Sequence, residues 1–118
     1  MSPPGAEIWR RRQAKAWTQA RRDFEAGEWM AACFWAQQAA EFALKSNLEY
    51  DDRDVPRTHR LDDLLHLIGG PSDLLAAAAN LSPMAVTTRY FDTEDRFTEA
   101  IAAQAMKDAE ALIKWSEA

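Results

Sequence analysis

The sequence is poor in the residues that staple, ligate or break a chain. It has one cysteine, Cys33, so no intrachain disulfide can form. A lone thiol inside an apolar run reads as a small core residue and fits a reducing compartment. Two histidines and one cysteine make no zinc cluster. Glycines number four, and none falls in a Walker-type loop, a Gly-x-Gly-x-x-Gly run or a Gly-x-Ser-x-Gly elbow. No Glu-x-x-His pair is present, which removes support for a di-iron bundle site. No apolar stretch approaches the ~20 residues of a membrane span, and the N-terminus lacks the apolar core of a signal peptide. The expectation is a cytoplasmic protein with no membrane partner. One further absence is local. Residues 8–22 contain Arg10, Arg11, Arg12, Lys15, Arg21 and Arg22 and no acid, although the chain carries a net charge of −5. A cationic first segment on an anionic body argues against general coating of nucleic acid, which needs clustered Lys and Arg, and leaves it open only at that segment.

What is present is helical punctuation. The 118 residues, 47% hydrophobic and 28% charged, have globular composition and are enough for one self-sufficient core. The expected domain is 1–118, with 1–5 a flexible N-terminus. Gly and Pro recur where helices stop: Pro3-Pro4-Gly5, Gly27, Pro56, Gly69-Gly70-Pro71 and Pro83. Between them the 3.6-residue period predicts helices over about 6–25, 28–49, 59–68, 73–81 and 94–116. In the first, Trp9, Ala16, Trp17, Ala20 and Phe24 form the apolar side, and Arg11, Lys15 and Arg22 a back read as a solvated face. The second is apolar nearly all round, as expected of a central helix. Asp92 or Thr93 is the expected cap of the last, with Glu94 and Asp95 in its first turn. The fold class is all-α, an antiparallel up-down helical bundle of four long or medium helices plus one short helix.

Three stretches could carry chemistry. In "CFWAQQAAEFALK", residues 33–45, Gln37, Gln38, Glu41 and Lys45 share one sector of about 100°. The sector reads either as a wet stripe with a favourable Glu41–Lys45 pair, or as a groove wall or subunit interface, since Met30 and Phe34 stand in it. In "RTHRLDDLLHL", His59 precedes a helix, and His66 lies near its end. In "TTRYFD", Arg89 and Tyr90 together offer a planar fork and a stacking ring for an anion or nucleotide. Alone, Arg89 reads better as a loop-bridging structural residue.

In order, "GEWMAACFWAQQAAEFALK", "HRLDDLL" and "TRYFD" resemble the HEPN domain family, over about residues 13–115. The family's Gln-Gln-x-x-Glu-x-x-x-Lys run falls on Gln37, Gln38, Glu41 and Lys45, its Thr-His-x-Leu on Thr58, His59 and Leu61, and its Thr-Arg-Tyr on Thr88, Arg89 and Tyr90. The resemblance implies a small helical bundle that pairs into a homodimer. It also implies a minimal nucleotidyltransferase partner in a two-gene, toxin–antitoxin-like system. No cofactor and no metal are implied; the ligand would be a nucleotide or RNA. Ligand-binding residues would be Gln38, Glu41, Lys45, His59, Arg89 and Tyr90. Ribonuclease relatives carry Arg, four to six residues, then His near the start of a late helix. Here that spacing occurs mid-chain, as Arg53…His59 and Arg60…His66, while no histidine follows Arg89, and Phe91 stands where the family has proline. The expectation is therefore a non-enzymatic nucleotide- or polyphosphate-binding or partner-docking module. The alternatives are a metal-independent ribonuclease with His59, Arg89 and Arg53 as catalytic residues, and a purely structural dimeric interaction protein.

Overall fold

Gly27, at φ 76°, reverses the chain between its two longest helices. The Gly27 N–H donates to Phe24 O at 3.1 Å and the Glu28 N–H to Asp23 O at 2.8 Å, a Schellman end that needs a left-handed residue, which glycine adopts without a Cβ penalty. A computed structural model describes residues 4–87 and 95–118, and among them every element is helical. Helix α1 is Pro4–Glu25 and α2 Trp29–Tyr50. Then come α3 (Leu61–Leu67), a 3-10 turn (Ser72–Leu74) running into α4 (Leu75–Leu81), and α5 (Met84–Thr87). The last is α6, Glu99–Glu117. The all-α bundle expected from the sequence is the architecture found.

The antiparallel α1–α2 hairpin is closed by small residues. Ala16 and Ala20 meet an arc of Ala32, Ala36, Ala39, Ala40 and Ala43, all buried, so the two backbones approach closely and the larger rings flank the seam. Trp17, Trp35 and Phe42 pack along its edges. Leucines fill the other side of α2: Leu44, Leu48, Leu61, Leu64, Leu65, Leu81 and Leu112 are fully buried in one cluster. Burying a leucine contributes about 2 kcal/mol, so this layer holds α3, α4 and α6 against α2. Helix α2 touches α1, α3, α5 and α6, as its nearly continuous apolar circumference predicts.

Polar groups fix the shorter elements. Ser82 Oγ accepts from Leu61 N–H at 2.8 Å and lies 2.7 Å from Ala78 O, capping α3 from across the chain, because Arg60 offers no side-chain cap. Buried Asp108 accepts from Asn80 at 2.7 Å and Gln104 at 2.9 Å, pinning α4 to α6. At the opposite end, Arg10 donates to Asn47 Oδ1 at 3.0 Å and Ser116 O at 2.9 Å, so three helices meet on one guanidinium.

Two boundaries differ from those read in the sequence. Helix α1 already includes Pro4 and Gly5; proline suits a first helical turn, where its missing N–H has no partner to lose. Helix α6 starts at Glu99, five residues later than the predicted 94. Thr98 is extended (φ −118°, ψ 167°) and its side chain accepts from the Ile101 N–H, so it is the N-cap, and Asp95–Arg96 belong to a separate short turn. The predicted caps, Asp92 and Thr93, lie outside the described residues.

Candidate functional site

The polar sector of α2 is not a wet stripe. Gln37, Glu41 and Lys45 are 0%, 2% and 6% exposed. Their spacing of four stacks them on one face of the helix, and that face is covered by the loop that precedes α3. Buried polar atoms must find partners, and here they find one another. Gln37 Nε2 donates to Glu41 Oε1 at 3.1 Å and to the backbone carbonyl of His59 at 3.0 Å. Gln38 Nε2 donates to Gln37 Oε1 at 2.6 Å. Lys45 Nζ bonds Glu41 Oε2 at 3.1 Å. No buried side-chain nitrogen or oxygen among the described residues is left without a partner.

His59 completes the cluster. Its Nδ1 lies 2.9 Å from Glu41 Oε1, while its side chain is 52% exposed. A carboxylate paired with Lys45 can only accept, so the proton between them sits on Nδ1. The other ring nitrogen, Nε2, has no hydrogen-bond partner among the described residues. The imidazole is thus gripped twice from α2: Glu41 holds the ring and Gln37 holds the same residue's carbonyl. This grip fixes tautomer and direction, as an orienting carboxylate does for a functional histidine.

Beside the ring is a shallow groove of about 280 Å³, bounded by His59, Arg60, Asp62, Ser82 and Val86. Arg60 pairs with Asp62 at 3.0 Å and Asp63 at 3.7 Å. The hydrogen bond from Arg60 holds the Asp62 carboxyl below its ordinary value. A larger depression, about 520 Å³, opens at the other end of α2 around Arg10, Asn47 and Tyr50. Its one cation, half-buried Arg10, is engaged with Gln13, Asn47 and Ser116. Size therefore does not identify the site; the oriented histidine does.

The structure brings together Gln37, Gln38, Glu41, Lys45 and His59 of the residues singled out in the sequence. Lys45 is no free cation, however: it is buried and paired, and Gln38 has its amide turned inward to Gln37. Arg53 does not face the groove. Its guanidinium caps α3 at the Leu67 carbonyl, the end farthest from His59. His66 is exposed on α3. Arg89 and Tyr90 lie outside the described residues. Two residues were missed. Trp9 lies 5.5 Å from Lys45 Nζ, with Arg12 4.9 Å from the same ring, so one indole faces two cations. The periodicity of α1 assigned Trp9 to the core stripe and gave no signal of this contact. Among the described residues no group of His, Cys, Asp and Glu could hold a metal ion, and no helix is long and apolar enough to cross a membrane.

Comparison with known proteins agrees with the fold. Similar solved structures include TT1696 from Thermus thermophilus, at 30% identity, a TM-score of 0.87 and 95% of each chain covered. ST0689, an archaeal HEPN homologue, is 26% identical with a TM-score of 0.83, covering 95% of this chain and 94% of its own. A HEPN domain protein from Thermotoga maritima, tm0613, shares the fold at 23% identity and a TM-score of 0.76, over 93% and 94% of the two chains. No curated protein matches the sequence. The HEPN domain family model matches residues 6–118, and the chain belongs to that family.

Proposed function

We propose that this HEPN protein is a binding module for a nucleotide or polyphosphate, with His59 as its contact residue and the groove at α3–α5 as the seat of the ligand. The observation that carries the reading is the double grip of α2 on His59, which presents Nε2 outward on a fixed ring. Orienting a half-exposed imidazole with a buried carboxylate does little for packing, and it prepares Nε2 to accept from a ribose hydroxyl or, in the imidazolium form, to donate to a phosphate oxygen. Gln37, Gln38, Glu41 and Lys45 serve as the frame, and Arg60, paired with Asp62 and Asp63, borders the groove. Arg89 and Tyr90, picked out by the family's Thr-Arg-Tyr run, are the further candidate contacts for phosphate and base. The module works as a homodimer and docks a minimal nucleotidyltransferase.

Isothermal titration with ATP, GTP and a short oligonucleotide in chelator tests the reading. Saturable heat with at least one, lost in His59→Ala, is the expected result. No heat with any of them, at high protein concentration, refutes it.

The same observation favours a second reading, a metal-independent ribonuclease. A histidine held by a carboxylate is the arrangement of a general acid or base, and His59 would take or return the proton of the attacking or leaving oxygen. It predicts RNA cleavage in chelator that disappears in His59→Ala. Intact RNA, together with unimpaired growth on expression, removes this reading and leaves the first standing.

A further inference from the structure

Helix α1 turns a line of cations away from the bundle. Arg11, Lys15 and Arg22 are exposed and, at 100° per residue, fall within about 40° of one another along about 16 Å of helix. Thr18 continues the line, and small Ala14 beside it leaves a shallow depression bordered by Lys15, Gln19 and Arg22. Two other exposed cations are paired, Arg60 with Asp62 and Asp63 and Lys114 with Glu110, whereas exposed Arg57, Arg96 and Lys107, unpaired among the described residues, are scattered over other elements. Among the described residues none of Arg11, Lys15 or Arg22 makes an ion pair. On a chain with a net charge of −5, the acids of this helix are Glu7, Asp23 and Glu25; Asp23 accepts from Gln19 at 3.1 Å, and none of the three falls within the arc of about 40° that holds the three cations.

We propose that this outer face of α1 docks a nucleic-acid strand through its phosphates, without reading bases. Unpaired arginine forks and a lysine at one-turn and two-turn spacing match a row of phosphodiesters, which need charge and donors and no apolar anchor. A protein partner would need an apolar or aromatic centre, and this line has none. Membrane insertion is closed as well, because the apolar side of α1, with Ala16 and Ala20, is buried against α2. The surface is distinct from the His59 groove and does not depend on the reading of that groove.

Fluorescence anisotropy of the full chain with mixed-sequence single strands of about 20 nucleotides, RNA and DNA, from ~50 to ~200 mM salt, tests it. At about 0.7 per cation, the three residues contribute about 2 to the log–log salt slope, a ~16-fold loss of affinity over that range. Arg11→Gln/Lys15→Gln/Arg22→Gln removes this share of the slope. Arg57→Gln/Arg96→Gln/Lys107→Gln, with the same charge change at other exposed positions, keeps it, and RNA and DNA bind alike. Arg22→Gln alone flattens the slope by about 0.7 and serves if the triple variant fails to fold. Equal flattening in both triple variants, a marked preference for RNA over DNA, or no binding at the lowest salt overturns the proposal. So does a triple variant that loses only its binding to vesicles of anionic phospholipid.

Discussion

Replacing Glu41 by glutamine keeps the shape of the side chain and removes its charge. Two donors, Lys45 Nζ and Gln37 Nε2, and the His59 ring converge on its two oxygens at 2.9–3.1 Å. An amide keeps one acceptor and turns an NH₂ toward the other donors, so at least one contact becomes donor against donor. The heavier loss is Lys45, whose side chain is only 7% exposed and would keep a buried charge with no counter-ion. Breaking a buried pair from one side costs about 3 kcal/mol, a large share of a stability of about 5–15 kcal/mol. For a chain of this size that lowers Tm by about 12 °C. Glu41→Gln/Lys45→Met removes both charges while methionine fills the space of the lysine stem, and should recover about 2 kcal/mol of the loss. Urea unfolding of the wild type, both single variants and the double variant gives the coupling directly. A Glu41→Gln cost below about 1 kcal/mol, the level of an exposed pair, would refute the view that this carboxylate is the buried hub.

Other expectations are simpler. Burial pushes the Cys33 thiol from 9.0 up to about 11, so folded protein should resist alkylation at mildly alkaline pH and react fully once unfolded. Because the folded state holds that proton more tightly, the stabilising contribution is complete below pH 9.0 and is lost as pH rises toward about 11; chemical denaturation across that window should show the decline, and Cys33→Ala should remove this component of it. Thr98→Ala deletes the α6 cap and should cost about 1 kcal/mol in thermal or urea unfolding. Asp52, at φ 56°, ends α2 in the left-handed region with its N–H on Glu49 O, and Asp52→Gly should raise stability by about 1 kcal/mol, a gain that a differential scanning experiment resolves.

Much of this was written in the sequence because helices announce themselves through short-range pattern. Gly27 and Gly69 mark ends that the backbone confirms at positive φ, and the unbroken apolar circumference of α2 places it at the centre. The sector holding Gln37, Glu41 and Lys45 follows from 100° per residue alone. Its burial does not: a helical wheel shows which residues share a face and says nothing of what covers it. The loop ending at His59, and Trp9 against Lys45, turn that face inward. The start of α6 was misplaced because acids suit any first turn, so Glu94 and Asp95 were as good a signal as Glu99, and the choice is made by Thr98 reaching Ile101 N–H. Trp9 was assigned to packing for a related reason. The periodicity of α1 gives its apolar side, and the offset of α1 along α2, which brings Trp9 under Lys45, is a property of the pair.

That pairing also bears on the order in which the protein assembles. The hairpin α1–α2 is the most extensively packed pair of elements, its turn is Gly27, and its open end is latched where Ser46 Oγ donates to Ala6 O at 3.1 Å. All of these contacts lie within the first fifty residues, so little loop entropy opposes them, and topologies of this kind fold fast. Helix α6, which lays Ala105, Ala109 and Leu112 on the hairpin, lies about fifty residues farther along the chain. Substitutions that enlarge or polarise Ala20 or Ala36 should therefore slow refolding, whereas Leu112→Ala should mainly hasten unfolding. The smallest structural unit of this chain would then be the first hairpin, with the rest of the bundle condensing upon it.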